Sequence, residues 1–163
     1  MSPAAAAPAI KIVTFRLGDD LFAADIFAVE RVLRYQVPTP IPNVPNWIEG
    51  VIEYQSRVLP VIDLRRRFEM QSKEPDNHTR ILVFTAGGDW IAATVDQVVE
   101  VATVENAQVA PPPELFRGLD SAFLRGVVRR GERLLIFLDV GKLLSTNERL
   151  TLEKATGDAA HHA

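Results

Sequence analysis

The sequence predicts an all-β chain in two matched halves, and three observations carry that reading. Short apolar–polar alternations are separated by Gly-Asp and Gly-Gly turns. Valine and isoleucine dominate those runs, as pleated, half-buried surfaces prefer. Two blocks of sequence also recur in the same order along the 163 residues. Setting Lys11–Glu30 over Arg80–Val99 matches Ile12/Ile81, Phe15/Phe84, Gly18/Gly87, Asp20/Asp89, Ala23/Ala92, Ala24/Ala93 and Val29/Val98. Setting Asn46–Phe68 over the segment that contains Phe123–Val140 matches Gly50/Gly126, Val51/Val127, Arg57/Arg133, Leu59/Leu135 and Asp63/Asp139. Two copies are too few for a solenoid. Each half holds about five strand-like segments, and open edges are an aggregation hazard. The expectation is therefore a pseudo-symmetric pair of small β-barrels sharing one core, since neither alone has much interior.

The elements follow in order. Residues 1–9 are Ala/Pro-rich and read as a flexible tail. Val13, Phe15 and Leu17 alternate with Thr14 and Arg16 in a strand that turns at Gly18-Asp19-Asp20 and returns through Leu21–Ala24. A helical turn and a strand from Val29 to Tyr35 come next. Prolines at 38, 40, 42 and 45 then impose a rigid extended connector. Trp47–Tyr54 and Arg57–Ile62 form a strand pair around Gln55-Ser56, a pair poorly suited to a tight hairpin turn. Pro60 argues for an edge or bulge in the second strand. Asp63 is placed to cap the amide of Arg65 or Arg66. The polar stretch Gln71–His78 is the candidate boundary between halves.

The pattern then restarts. Arg80–Phe84 and Trp90–Val95 are strands around the turn Ala86–Asp89, and Gln97–Val104 mixes a turn with a strand. Pro111-Pro112-Pro113 marks a loop. Leu124–Arg130 and Arg133–Leu138 form the last hairpin, turning at Gly131. Asp139 stands where a short C-terminal helix would begin, with Val140, Leu143, Leu144 and Leu150 on its apolar side. Residues 153–163 read as a second flexible tail.

Composition excludes several functions. Hydrophobic residues make up 47%, enough for a packed interior, and the formal net charge of −3 argues against a broad cationic face for nucleic acid. With no cysteine there is neither disulfide nor thiolate chemistry. The opening MSPAAAAPAI lacks the basic start and apolar run of a signal peptide, and no apolar run is long enough to span a bilayer. A cytoplasmic protein without membrane insertion is expected. The three histidines, at 78, 161 and 162, do not make a metal-ligand set. There is no nucleophile elbow or phosphate loop. No cofactor, metal or catalytic residue is therefore expected. Asp63 and Asp139 occupy equivalent places and read as capping residues.

What remains is surface recognition. Arg65-Arg66-Arg67, with Arg57, Arg31 and Arg34 nearby in sequence, is a basic cluster. It reads either as a solvated face or as a rim that pairs with a partner's carboxylates. Trp90 lies within an alternating strand and reads as core. Tyr35 and Tyr54 close their strands beside polar residues and suit a partly exposed contact patch.

Three segments in order carry a family resemblance. VTFRLGDDLFAADIFAVE (Val13–Glu30), GVIEYQSRVLPVIDLRRRF (Gly50–Phe68) and FLRGVVRRGERLLIFLDVGKLL (Phe123–Leu144) resemble the CheW family of bacterial chemotaxis coupling proteins. The second follows the family pattern G-V-x-N-x-R-G-x-x-x-P-V-x-D-L-R, and the similarity spans about residues 10–152. The resemblance implies two intertwined five-stranded β-barrels. The first barrel would cover about 18–77. The second would cover about 78–152 and take in the strand 10–17. It further implies a non-catalytic adaptor that binds the regulatory domain of the chemotaxis histidine kinase, the cytoplasmic tips of chemoreceptors and other CheW-like domains. Arg31, Leu33, Tyr35, Tyr54, Gln55, Arg57, Val58 and Arg66 are the expected protein-binding residues. The sequence departs from the pattern at Glu53 and Gln55-Ser56, where the family has Asn and Arg-Gly. That departure fits a specialised receptor or array, an accessory protein that binds the kinase without the usual receptor contact, or another partner of this family. A small-molecule-binding regulatory domain is the alternative from a different class.

Overall fold

The computed structural model describes residues 8–71, 73–112, 115–116, 119–145, 148 and 152–154. The all-β class holds. In chain order the strands are β1 (Ala9–Leu17), β2 (Asp20–Asp25), β3 (Val29–Arg34), β4 (Ile48–Tyr54), β5 (Arg57–Asp63), β6 (Arg80–Ala86), β7 (Asp89–Val95) and β8 (Gln97–Glu105). The short pieces β9 (Val109–Ala110), β10 (Leu115–Phe116) and β11 (Leu119–Asp120) precede β12 (Leu124–Arg130) and β13 (Arg133–Leu138). One four-residue helix, α1 (Leu64–Arg67), follows β5. Asp63 caps it, accepting from the Arg66 amide at 3.2 Å.

The expected barrels are not what forms. A six-stranded sheet runs β8-β1-β2-β13-β12-β9, and a five-stranded sheet runs β3-β6-β7-β5-β4. Both are open, with β8 and β9, and β3 and β4, left as edges. The reason lies in the prolines. The chain that would close the five-stranded sheet is the proline connector after β3, whose prolines carry no N–H to donate. Thr39, between Pro38 and Pro40, makes a single bridge to Val51, with both bonds at 2.8 Å. In the other sheet only Val109 and Ala110 pair with β12 before the proline run.

The repeat is nonetheless real, and it exchanges strands. β1 and β2, from the first opening block, join β12 and β13, from the second closing block. β6 and β7 join β4 and β5 in the same way. Each sheet is stitched by one parallel pair, Phe137 beside Ala23 and Val61 beside Ala92, and these pairs are equivalent under the repeat. The five-stranded sheet thus draws on residues 29–95, and the six-stranded sheet on 9–25 and 97–138.

Strand alternation divides the side chains among three cores. The shared core between the sheets takes Phe15, Leu17 and Phe22 from one side and Leu82, Phe84 and Ile62 from the other. A line of rings crosses it: Phe15 to Phe22 at 6.0 Å, Phe22 to Phe68 at 5.8 Å and Phe68 to Phe123 at 5.6 Å between centroids. Burying each such ring contributes roughly 2–3 kcal/mol. Ile12, Val128, Leu135 and Phe137 pack on the far face of the six-stranded sheet. Ile52, Tyr54, Leu59, Ile81 and Val83 pack on the far face of the five-stranded one.

The C-terminal helix expected from Asp139 does not start there. Val140–Lys142 is a 3₁₀ turn without a side-chain cap. Glu148 and residues 152–154 are helical, while Leu150 and most of the second tail lie outside the described residues.

Candidate functional site

The eight expected contact residues all fall on the five-stranded sheet or just beyond it, but strand register separates them. Arg34 pairs with Arg80, Arg80 with Val95, and Thr94 with Asp63. Leu33, Tyr35 and Arg66 therefore lie toward one end of the sheet. Tyr54 pairs with Arg57 at the other end, next to Gln55 and Val58. The length of β5 puts Arg57 and Asp63 about 20 Å apart, at roughly 3.3 Å per residue. Arg31 lies between, on the edge strand β3. The residues form two groups.

At the hairpin end, the turn is tight. Gln55 and Ser56 both have positive φ, 47° and 64°, as a two-residue type I′ turn demands. Neither residue is a glycine, so the turn is held by its surroundings. Tyr54 is only 8% exposed, so it is not the half-exposed ring its position suggests. Its ring lies 5.1 Å from that of Trp90, and the Arg57 guanidinium sits 4.7 Å over Trp90. Gln55 donates to the Tyr54 hydroxyl at 3.2 Å. Gln55 and Arg57 are exposed, and Val58 is half-buried. The tip thus presents polar groups on a fixed aromatic base.

At the other end, Arg66 is the exposed member of the arginine cluster, its side chain 48% accessible. It donates to the Asn46 carbonyl at 3.0 Å and lies 3.4 Å from the Asp63 carboxylate. Arg65 and Arg67 turn inward. Arg65 pairs with Asp96 and donates to the Gln71 carbonyl at 2.6 Å. Arg67 forks onto Glu148 at 2.8 and 3.1 Å, donates to the Leu143 carbonyl and lies 4.0 Å over Trp47. Two of the three arginines are internal clamps, and only Arg66 can serve as a rim. Burial pushes the Glu148 carboxyl up, but the Ser145 amide and the Arg67 fork outweigh it and hold it below the usual range.

Tyr35 and Leu33 pack against the outer core of this sheet. Burial, and then the carboxylates of Glu49, Asp63 and Glu74, push the Tyr35 hydroxyl up. Glu49 is itself raised by burial, with the Thr94 hydroxyl opposing. That help is weak, because Thr94 Oγ1 forms no hydrogen bond of proper geometry.

The sequence reading missed the exposed apolar side chains. Val32 and Val101 occupy equivalent positions on the edge strands β3 and β8, 43% and 58% exposed. Val37 and Phe27 are more exposed still. The repeat alignment relates Val32 to Val101, so the signal was available. Among the described residues no three His, Asp or Glu side chains converge as metal ligands, and no helix is long and apolar enough to cross a membrane.

Comparison with known proteins agrees with this architecture. The chemotaxis protein CheW of Klebsiella aerogenes is 34% identical over 138 residues, covering 85% of this chain and 83% of that protein. CheW of Treponema pallidum is 30% identical over 142 residues, covering 85% and 84%. The crystal structure of the scaffolding protein TtCheW from Thermoanaerobacter tengcongensis superposes with a TM-score of 0.81 at 31% identity, covering 86% of this chain and 96% of that one. The family model of the CheW-like domain matches residues 11–148, and on that match, nearly end to end, the chain belongs to the CheW-like domain family.

Proposed function

We propose that this protein is a non-catalytic chemotaxis adaptor that couples chemoreceptors to a histidine kinase. The observation that carries the reading is the family match across residues 11–148, with relatives named as chemotaxis proteins and a structural neighbour named as a scaffold. The geometry supports it. Two sheets share one core crossed by stacked phenylalanines and present separate outer faces. A rigid body with separate docking faces raises the effective concentration of two partners for each other.

In this reading the partners are the regulatory domain of the kinase, the cytoplasmic tip of a chemoreceptor and other CheW-like domains, in a cytoplasmic array at the membrane or free of it. No cofactor takes part. The hairpin tip with Gln55, Arg57 and Val58 would supply one contact. The edge strand with Arg31, Leu33 and Tyr35, together with Arg66, would supply another. Rim arginines give charge pairing and register, while the half-buried apolar groups exclude water.

Separate binding assays with the kinase regulatory domain and a receptor-tip fragment test the proposal. Arg57→Glu and Arg66→Glu lie at opposite ends of the sheet, so each should weaken a different partner by tenfold or more, on the order of the 1.4 kcal/mol that a well-formed interfacial charge pair supplies. Thermal stability should change little. Binding of neither partner by the unmodified chain would remove the adaptor reading. Equal affinities in both variants would remove these arginines from the interfaces.

A further inference from the structure

The repeat gives the fold two equivalent mouths, and they differ in size and in chemistry. The first lies where the β1–β2 turn, α1 and the β7–β8 junction meet, beside a smaller groove of about 250 Å³. There the Asp96 carboxylate accepts from the Gly18 amide at 2.7 Å and from Arg65 Nε at 2.9 Å, and its ion pair with Arg65 Nη2 completes a clamp. The register of the repeat carries Gly18 onto Gly87, Asp96 onto Phe27 and Arg65 onto Gly141. In the second mouth, therefore, the cation is replaced by a glycine and its carboxylate partner by an aromatic ring.

An open groove of about 520 Å³ lies at that second mouth, with Ala28, Ala86, Leu138 and Val140 contributing apolar surface. Phe27 stands on its rim, 92% exposed. The Asp25 carboxylate holds the Phe27 amide at 2.9 Å with one oxygen and the Arg125 guanidinium at 3.3 Å with the other. Asp139 also lines the groove. Its twin, Asp63, is occupied as a helix cap and as a partner of Arg66. Asp139 caps nothing with its side chain, and among the described residues no ion pair reaches it. Two carboxylates and one guanidinium leave the lining with one negative charge in excess, beside an apolar floor and an exposed ring.

We propose that this groove docks an arginine-bearing segment of a partner protein. Its guanidinium pairs with Asp139, whose twin Asp63 pairs with Arg66, and its alkyl stem and neighbouring apolar side chains cover Ala28 and Phe27. A guanidinium fits better than an ammonium because a planar fork can bond the carboxylate in bidentate fashion while stacking on an aromatic face. The assignment stands on the groove's own chemistry and does not require the adaptor reading.

The test uses the full chain, labelled with 15N, and the probe acetyl-Leu-Arg-amide at low salt, with the citrulline and lysine peptides as controls. The Gly87 and Gly141 amides should shift with the arginine peptide, less with lysine and not with citrulline. Asp139→Asn should weaken the arginine peptide about fivefold or more, the range of one partly exposed charge pair. Equal shifts with citrulline, unchanged affinity in Asp139→Asn, or shifts spread over other acidic surface would overturn the proposal, as would shifts that track self-association of the chain. A second variant fills the groove from within. A Cβ at Gly141 meets only Asp139 Oδ1, at an ordinary 3.5 Å, so Phe27→Asp with Gly141→Arg can rebuild the twin clamp. That double variant should lose the peptide shifts and melt at a higher temperature. Wild-type peptide affinity in the folded double variant would sink the idea, and if it fails to fold, the Asp139→Asn comparison decides.

Discussion

The two halves agree where backbone meets backbone and differ where charges meet. Gly50 and Gly126 are equivalent, and they do the same work. A Cβ on Gly50 would lie 2.2 Å from the Thr39 carbonyl oxygen, and one on Gly126 would lie 2.6 Å from that of Ala110. Each glycine lets the segment after an edge strand cross tightly over the opposite edge of its sheet. At the mouths the halves part company, with a salt-bridged clamp beside a small groove in one and a groove about twice as large without that clamp in the other. A repeated fold keeps what its strand geometry demands. Positions that only line an opening are free to diverge, and there the halves acquire separate tasks.

The strongest way to break this comparison is at the glycines. Gly50→Ala should destabilise by about 3–5 kcal/mol, in the class of severe backbone clashes, because Gly50 also has a positive φ of 151°. Gly126→Ala should cost less, since φ is not strained there. Urea titration of both variants checks the order. Equal and small losses would mean the crossings are loose. The clamp comes second. Arg65→Met leaves Asp96 mostly buried with its cation gone, and should cost about 2–3 kcal/mol, somewhat under the loss from breaking a fully buried pair. Gly141→Met, its counterpart in the other half, should stay within roughly 0.5 kcal/mol, as surface changes usually do.

Much of this was legible in the sequence, and what was not has a physical reason. The strands, their turns and the doubled order of the chain followed from alternation and from matched residues such as Ala23/Ala92. Gly50 and Gly126 aligned as well, but the reason for them did not, because Thr39 lies in the proline connector and Ala110 in the short strand β9, neither with a local link to its glycine. The proline density was recognised as hostile to strands. The error was to infer closed barrels as the way to protect edges, when prolines protect an edge without closing it. Tyr54 looked exposed because it ends its strand, yet Trp90 covers it from β7, two strands away. The arginine run looked like a surface because the partners of Arg65 and Arg67 are 31 and 81 residues distant. One signal could have exposed them. Where a repeat otherwise matches, Arg65 opposite Gly141 and Asp96 opposite Phe27 mark a charged pair present in one copy alone.

A smaller effect than the loss of the clamp lies at one more pair of equivalent positions. Glu49 corresponds to Arg125, and Thr94 to Asp25. In the six-stranded sheet Arg125 and Asp25 neutralise each other at 3.3 Å. In the five-stranded sheet Glu49 faces the Thr94 hydroxyl, with the Asp63 carboxylate and the Arg66 guanidinium also near. Burial raises the Glu49 carboxyl first, and Asp63 adds to it, against the weaker pull of Thr94 and Arg66. A carboxyl raised in the fold binds its proton more tightly there than in the unfolded chain. Its contribution is therefore favourable at low pH and is lost as pH climbs from the ordinary glutamate value, about 4.3, through the raised folded one. At neutral pH the ionised group costs stability. Glu49→Gln should then stabilise by somewhat less than about 1 kcal/mol at pH 7, the scale of a partly buried polar group relieved of charge. The gain should fade as pH falls through the raised folded value and be gone by about pH 4. Denaturation midpoints of both proteins from pH 3.5 to 8 decide it. A constant difference across that range would show that the substitution acts through packing, and a loss at neutral pH would show that Arg66 supports Glu49 as fully as Asp25 supports Arg125.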